Sequence, residues 1–285
     1  MQPTKLRNHP SFMLKYKKEN ILFDCGENVQ RQMRIAGLKP AKVTRVLISH
    51  WHGDHVFGLP GLLSSMGADQ YAQKLYIYGP KGSKKYLEHL IKSFDSKDVI
   101  PFEVKEVSSG TFFENDDFSL SAKPLDHTSL CVGFSFQEKD RHRIKVVQAK
   151  KLGLEGPILS KLQQGKDVTH NNKKIKANDV TYIVEGKRIS YIADTSRCKG
   201  ADDLAKNADL LISEGTHLSE IQEKTDKYKH LTVKEAALIA SENNAKKLII
   251  THISPRYKST NEIVSEARTY FDETIVAEDF MKIQL

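Results

Sequence analysis

At 285 residues, with 39% hydrophobic and 8% aromatic residues, the chain fits a globular protein whose large core lies in one large α/β domain or two smaller ones. No run approaches the ~18 consecutive apolar residues of a membrane span, and residues 1–10 lack the apolar core of a signal peptide. These features argue against a membrane protein and against a membrane partner. The net charge of +8 is uneven, because residues 138–176 carry eleven Lys or Arg against four Asp or Glu. Such a concentration is typical of an element that binds a polyanion, whereas accidental surface lysines would be spread evenly.

The cysteines indicate the compartment. Cys25, Cys131 and Cys198 are scattered, odd in number and without zinc-knuckle spacing. They favour a reducing environment, and we therefore expect a cytoplasmic protein.

The amino-terminal region predicts two strands, a turn and a helix. Residues 11–17 and 20–26 have strand character, and the second strand ends in Asp24-Cys25-Gly26, which is typical of a tight turn. A helix is predicted over 29–36, stopped by Gly37 and Pro40. Taken by itself, Asp24 would cap the turn.

That segment is a cluster of potential metal ligands at the end of a buried strand. The apolar run over 45–49 predicts a parallel strand, and Gly58 begins a turn that opens a helix. Between them stand His50, His52, Asp54 and His55. Open α/β sheets place ligands at the carboxyl ends of their strands. His50 and His52 can project to one side, while Asp54 and His55 point elsewhere, so the cluster can supply two adjacent metals. The alternative is a His-rich surface loop.

The middle of the chain predicts further strands and a second site histidine. Strands are expected over 75–80, 102–107 and 118–122, with a helix over 84–92; we expect the last two strands to be antiparallel, with 114–117 as their turn. His127 precedes another strand over 131–136. A single histidine after a strand is usually structural. The interspersed Leu, Ile and Val residues of the basic segment 138–176 predict at least partial packing.

The carboxyl-terminal third predicts strands that end in polar residues. The strand over 188–195 ends near Asp194, the run over 208–213 precedes Glu214, and the strand over 247–251 precedes His252. Thr232 and Glu235 form a capping-box pattern that opens a helix over 233–243. A helix over 262–271 and a strand over 275–277 close the chain.

The pattern His50-x-His52-x-Asp54-His55 after a core strand resembles the signature of the metallo-β-lactamase superfamily, and the rest of the chain is most similar to its ribonuclease Z family, the tRNA 3′-end processing endonucleases. The resemblance implies an α/β fold, the αβ/βα four-layer sandwich, as a single domain over 1–285. Residues 138–176 would be its inserted flexible arm, a protruding basic exosite for tRNA. In the superfamily an aspartate at the position of Asp24 helps to orient the metal-binding loop.

The resemblance also implies a dinuclear metal centre. One metal would be held by His50, His52 and His127 and the other by Asp54, His55 and His252, with Asp194 as the bridge. Nitrogen and carboxylate ligands without cysteine suit two catalytic Zn²⁺ ions, with Mn²⁺ as the alternative.

By the same resemblance, Asp54 accepts a proton as well as binding metal, and His230, supported by Glu214, donates a proton to the leaving oxygen. The family usually shows His-Ser-Thr where this chain has His230-Leu231-Thr232. Without the resemblance, His230 would be an ordinary residue flanking a helix.

Two segments resemble the RNA-binding elements of the family. The loop Pro3-x-Lys5-x-Arg7-Asn8 is similar to one that contacts the tRNA 3′ end, since Lys and Arg can hold phosphate and Asn can bind a base edge. The family has a strand and a Gly-Thr turn before this loop, so we expect a mis-set start codon rather than a lost strand. The residues in the arm expected to contact RNA are Lys150, Lys151, Gly156, Pro157, Lys161 and Lys166.

The predicted function is hydrolysis of the phosphodiester at the 3′ end of precursor tRNA, which removes the trailer and leaves a 3′-hydroxyl. The partners implied are precursor tRNA and a second copy of the chain in a homodimer. The alternatives are a small-molecule metallo-phosphodiesterase on the same fold, which would need no basic arm, and a non-catalytic tRNA-binding relative, which would need no complete ligand set.

Overall fold

Two β-sheets face each other in the computed structural model, which describes residues 2–95 and 100–285. Within these residues the strands are, in chain order, Phe12–Tyr16 (β1), Glu19–Phe23 (β2), Arg45–Leu47 (β3), Leu75–Gly79 (β4), Phe102–Glu106 (β5), Gly110–Glu114 (β6), Phe118–Leu125 (β7), Cys131–Glu138 (β8), Arg141–Ile144 (β9), Val168–His170 (β10), Lys173–Ile175 (β11), Thr181–Val184 (β12), Arg188–Ile192 (β13), Leu210–Glu214 (β14), Leu248–Thr251 (β15) and Thr274–Val276 (β16).

The α-helices lie mainly between these strands. Over the same described ranges they are Val29–Ile35 (α1), Gly53–Val56 (α2), Leu59–Ala68 (α3), Ser83–Lys92 (α4), Val146–Lys151 (α5), Pro157–Gln163 (α6), Ala177–Val180 (α7), Lys199–Ala205 (α8), Gln222–Lys227 (α9), Val233–Glu242 (α10) and Asn261–Arg268 (α11), with 3-10 turns at Pro40–Lys42 and Ser219–Ile221. Helix α10 begins with the predicted capping box between Thr232 and Glu235.

The first sheet has the order β1-β2-β3-β4-β5, in which β2 to β5 run parallel and β1 is antiparallel. The second has the order β16-β15-β14-β13-β8-β7-β6, in which β13 to β16 run parallel and β8 is antiparallel to both of its neighbours. Because parallel strands end at one edge of a sheet, the residues after β2 and β3 lie together, as do those after β13, β14 and β15.

Successive side chains along the strands of the first sheet point to opposite faces and so enter different layers. Ile21, Phe23 and Leu47 enter a cluster between the sheets with aromatic residues of β7 and β8, whereas Leu22 and Val46 pack with residues of α1 and α3 on the outer face. Helices α8 and α10 contribute to the core from the other side. The layers are therefore helix, sheet, sheet and helix, and the predicted αβ/βα sandwich is confirmed.

The predicted pairing of 102–107 with 118–122 is wrong. Strand β5 pairs in parallel with β4 in the first sheet, and β7 pairs with β6 in the second. The short strand β6, Gly110–Glu114, was not predicted, because its residues lie at the edge of the sheet and none of them is buried. The turn over 114–117 joins β6 to β7 instead.

Residues 141–184, which we call the insertion, form a small folded unit. Strands β9 and β12 pair as a two-stranded ribbon, β10 pairs with β11, and the segment has an apolar core of its own. That core contains Ala149, Leu154, Leu162, Val168, Ile175, Ala177 and Val180. The apolar residues within the basic segment therefore pack together, and the folded unit extends beyond residue 176 to the end of β12.

Every helix over residues 2–95 and 100–285 is too short or too polar to span a membrane.

Candidate metal centre

The seven residues predicted as ligands converge where strands of both sheets end. The cluster from His50 to His55 follows β3, His127 follows β7, Asp194 follows β13 and His252 follows β15. His50, His55, Asp194 and His252 are buried. The site therefore lies between the two sheets, with ligands from each.

The first ligand group consists of three imidazoles. The Nδ1 atom of His52 lies 3.1 Å from Nε2 of His50 and 3.3 Å from Nε2 of His127. These nitrogens, with the Asp194 carboxylate, all lie within 4.8 Å of one another. One cation can contact them together.

The second group contains Asp54, His55 and His252. The Oδ2 atom of Asp54 lies 3.6 Å from Nε2 of His55 and 3.4 Å from Nε2 of His252. The division between the two groups is the one implied by the resemblance.

Asp194 contributes to both groups through one oxygen. Its Oδ2 lies 3.7 Å from Nε2 of His50 and 4.0 Å from Nε2 of His127. The same oxygen lies 3.5 Å from Nε2 of His55 and 3.4 Å from Nε2 of His252. This position between the groups is that of a bridging carboxylate.

The residues fit a metal ion on grounds of hydrogen bonding and charge. Nε2 of His55 and Oδ1 of Asp194 are buried without a hydrogen-bond partner, although buried polar atoms normally have one. Burial lowers the pKa of His55, but Asp194 and Asp24 outweigh it and raise the pKa well above its ordinary value. The pocket thus favours positive charge at this ring, and a cation satisfies the same preference.

One buried carboxylate, Asp24, supports a histidine of each group. His55 Nδ1 donates to its Oδ2 at 2.7 Å, and the Ser49 hydroxyl donates to the same oxygen at 2.8 Å. Because that hydroxyl proton is committed, Ser49 Oγ accepts from His50 Nδ1 at 3.0 Å. Because each Nδ1 is the donor, a cation bound at this position would meet the Nε2 atom of both rings.

Glu214 performs the same task on the second sheet. Its Oε2 accepts from the Thr216 hydroxyl at 2.7 Å, and Thr216 Oγ1 accepts from His252 Nδ1 at 3.0 Å. Both carboxylate oxygens also lie 3.1 Å from Nδ1 of His230. His127 is oriented differently, since its Nδ1 donates to the Lys229 carbonyl at 2.9 Å.

The two predicted catalytic groups have shifted pKa values. Burial lowers the pKa of His230, but the Glu214 carboxylate outweighs this effect and raises the pKa to about 9. The His230 ring is therefore protonated at neutral pH and can donate through its Nε2–H. Burial raises the pKa of Asp54, but the hydrogen bond to His252 and the charge of His55 lower it by more. The resulting pKa lies below its ordinary value. Asp54 is thus held ionised, which favours its ligand role; its role as a proton acceptor stays a prediction.

The change from the family's His-Ser-Thr to His230-Leu231-Thr232 does not move the histidine from the site. Leu231 is fully buried in the main core, and its backbone carbonyl accepts from the Thr216 N–H. The side chain at this position packs into the core, so Leu231 stabilises the loop that carries His230 by apolar burial.

The amino-terminal loop is tied to the rest of the protein. The Arg7 guanidinium donates to the Tyr257 carbonyl at 2.7 Å, and the Asn8 amide donates to the Glu27 carbonyl at 2.8 Å. Lys5 is exposed. Arg7 and Asn8 therefore already have structural partners, and their predicted contact with RNA is not tested.

The predicted RNA-binding residues of the insertion are all exposed; they are Lys150, Lys151, Gly156, Pro157, Lys161 and Lys166. Gly156 caps α6 with a φ of 63° and a ψ of −139°, a conformation that favours glycine. Pro157 occupies the first position of that helix, where its lack of an N–H has no cost. The pair thus shapes an exposed helix start, and its contact with RNA stays a prediction.

Sequence reasoning assigned no role to Ser49, Thr216 or Tyr191. Ser49 and Thr216 stand beside predicted site residues, and that proximity was the only available signal. Tyr191 donates to Asp24 Oδ2 at 2.7 Å across 167 positions of sequence, a contact that no local pattern could reveal.

The comparisons with known proteins agree with this geometry. A ribonuclease Z of Methanothermobacter thermautotrophicus is 39% identical over 99% of this chain and 93% of that protein. One from Bacillus licheniformis is 38% identical over 99% of this chain and 95% of that protein. A family model described as Anti-Pycsar protein Apyc1 matches residues 3–143, a span that ends before Asp194 and His252.

Solved structures show the same fold. The crystal structure of human tRNase Z, short form, is 27% identical and covers all of this chain and 95% of its own, with a TM-score of 0.73. The metallo-β-lactamase fold protein YhfI from Bacillus subtilis, at 19% identity, covers 97% of this chain and 91% of its own, with a TM-score of 0.69, which bears on the fold alone. Given the identity to ribonuclease Z proteins over nearly the whole length, the chain belongs to the ribonuclease Z family on the metallo-β-lactamase fold.

Proposed function

We propose that the protein is a zinc-dependent endoribonuclease that hydrolyses the phosphodiester at the 3′ end of precursor tRNA, releasing the trailer and leaving a 3′-hydroxyl. The observation that carries the proposal is the pair of ligand groups sharing Asp194, with His230 beside them, in a chain of the ribonuclease Z family. His230 Nδ1 lies 4.0 Å from Oδ2 of Asp194, so the imidazole lies beside the carboxylate that the two groups share.

Zn²⁺ is the cofactor proposed for both groups, with Mn²⁺ as the alternative. Five imidazoles and two carboxylates without cysteine suit catalytic zinc. When bound, a pair of divalent cations supplies the charge that stabilises developing oxyanions and makes water nucleophilic at neutral pH.

The protein's own groups then move the protons. Glu214 holds His230 by its Nδ1, which leaves Nε2–H to donate to the leaving 3′ oxygen. Asp54 is positioned to accept the proton of the attacking water, although its lowered pKa makes it a weak base. Buried Glu214 also fixes His252 through Thr216, so the donor and a metal ligand share one support.

The insertion is proposed to bind the tRNA away from the cleavage site. It carries ten Lys or Arg against three Asp or Glu over 141–184, and exposed lysines neutralise phosphates without reading sequence. Its separate apolar core lets it present this charge as a folded unit. The proposal includes a homodimer and a cytoplasmic location.

A small-molecule metallo-phosphodiesterase on the same fold is the second candidate. Such an enzyme has no need of the insertion. A non-catalytic tRNA-binding protein would have no need of the complete ligand set.

The test is incubation of the purified protein with a precursor tRNA that carries a 3′ trailer, with Zn²⁺ or Mn²⁺, and mapping of the product ends. We expect one cut after the discriminator, abolished by chelator and by His230→Ala. The variant His89→Ala, an exposed histidine of α4, is the matched control and should retain cleavage at the same site. Hydrolysis of bis(4-nitrophenyl) phosphate without cleavage of the RNA would favour the second candidate, and binding of tRNA without either reaction would favour the non-catalytic one.

A further inference from the structure

The two sheets are joined at the metal centre by a hydrogen bond that involves no metal ligand. Asp24 accepts from Ser49 N–H at 2.7 Å, from the Ser49 hydroxyl at 2.8 Å and from His55 Nδ1 at 2.7 Å. These donors belong to its own half of the molecule. The further donor is the Tyr191 hydroxyl on β13 of the second sheet, at 2.7 Å from Oδ2.

Tyr191 packs against aromatic rings of the first sheet in this position. Its side chain is buried, and its ring centroid lies 5.3 Å from that of Phe12 and 6.1 Å from that of Phe23. Burial and the neighbouring Asp24 carboxylate raise the pKa of the phenol well above its ordinary value. The hydroxyl therefore remains protonated and acts as a donor to Asp24.

The strand that carries Tyr191 also carries the bridging residue. Asp194 stands three positions later, and its Oδ2 lies 3.5 Å from Nε2 of His55. Asp24 in turn holds His55 directly and His50 through Ser49. Any sliding of β13 against the first sheet would therefore change both the bridge and the support of two histidines.

We propose that Tyr191 is a positioning residue that sets the distance between the two halves of the metal centre by fixing Asp24 to the strand of Asp194. This inference rests on the metal centre of the proposed function and not on its substrate. Partners that orient metal-binding histidines typically change metal affinity about 10- to 100-fold when removed. Tyr191 acts one step further away, so we expect an effect near the lower end of that range.

The experiment measures the Zn²⁺ affinity of the full-length protein by competition with a chromophoric chelator in the absence of RNA. Tyr191→Phe keeps the ring packing and should weaken zinc binding roughly 10-fold. The matched control is Tyr71→Phe, since the Tyr71 hydroxyl is also buried and donates to the Val43 carbonyl at 3.0 Å. Both variants should lose a similar amount of thermal stability, but only Tyr191→Phe should lose zinc affinity.

A double-mutant cycle decides whether the effect passes through Asp24. In an Asp24→Asn background, Tyr191→Phe should cause little further loss of affinity, because coupled residues are not additive. Zinc affinity that is unchanged in Tyr191→Phe, or additive losses in the cycle, would overturn the inference. Wild-type protein that binds zinc but cleaves no RNA would overturn the proposed function and leave this inference standing, whereas wild-type protein that binds no zinc would overturn the metal centre itself.

Discussion

The support of His230 by Glu214 predicts a large change in pH dependence for Glu214→Gln. Burial alone would lower the pKa of His230 below its ordinary value of 6.5, and the Glu214 carboxylate raises it to about 9. A proton donor must be protonated, so activity falls as pH rises through this pKa. A glutamine at position 214 has no charge to offset the effect of burial on the pKa of His230. We therefore expect the alkaline limb of the pH profile of kcat to move down by two pH units or more.

The magnitude follows from these values. A shift of two units lowers the protonated fraction about 100-fold at alkaline pH, while the rates converge at a pH below both pKa values. Bound cations would lower the pKa of His230 in both proteins, so the quantity to compare is the displacement between the two profiles. The glutamine can keep the local hydrogen bonds, because its oxygen can accept from Thr195 N–H and its amide can donate to Thr216.

The assay is single-turnover cleavage of precursor tRNA at saturating enzyme over a pH series, with Asp209→Asn as the control. Asp209 is also largely buried and charge-paired, with Lys187 at 3.1 Å and Lys246 at 2.9 Å, but it lies at the opposite end of β14. Its variant should keep the wild-type profile. A Glu214→Gln profile that is lowered equally at every pH would refute the reasoning, because it would mean that Glu214 acts on structure alone.

Three further predictions concern the ligand set, the insertion and a helix end. Asp54→Ala should abolish cleavage and weaken one of two zinc-binding steps in a chelator titration while leaving tRNA affinity in a filter-binding assay largely intact; unchanged turnover would contradict the assignment. Deleting part of the insertion would destroy its core, so the sharper test substitutes alanine for four exposed lysines, Lys150, Lys151, Lys161 and Lys166. This variant should raise KM for tRNA and reduce the slope of log affinity against log salt by roughly one for each phosphate that is no longer neutralised, while hydrolysis of bis(4-nitrophenyl) phosphate stays the same; equal loss on both substrates would mean that the insertion acts structurally. Thr232→Ala should lower the free energy of unfolding by about 1 kcal/mol in urea titrations, because it removes the capping box of α10, and an unchanged midpoint would show that the cap contributes nothing.

The convergence of the candidate ligand residues could be predicted because their signals are local or follow strands. His50, His52, Asp54 and His55 lie within six positions, and Asp194 and His252 each end a strand that the apolar pattern predicts. The resemblance then divided them into two groups, and the distances agree with that division.

The pairing of residues 102–107 with 118–122 was mispredicted for a physical reason. Strand β6 has no buried residue, so its pattern lacked the alternation that marks a half-buried strand. Without it, β5 and β7 appeared in sequence as consecutive partners, although they belong to different sheets. Pairing depends on tertiary packing that short edge strands do not encode locally.

The hydroxyl groups that link the carboxylates to the histidines were beyond sequence reasoning, because Ser and Thr carry no distinctive spacing. In the structure they form the same arrangement twice. Asp24 holds His55 directly and His50 through the Ser49 hydroxyl, and Glu214 holds His230 directly and His252 through the Thr216 hydroxyl. Each sheet therefore ends in one buried carboxylate that orients two imidazoles.

This repeated arrangement explains how a site assembled from distant segments can be accurate. Each carboxylate and its hydroxyl lie on one sheet, so the geometry within each half is fixed by short-range hydrogen bonds. The geometry between the halves depends on the packing of the two sheets, and Tyr191 with Asp24 is a direct polar link across that packing. A change at Glu214 should therefore impair the second ligand group through His252, and a change at Asp24 should impair a histidine of each group. A change at the link should alter the shared position of Asp194 and weaken both metals together.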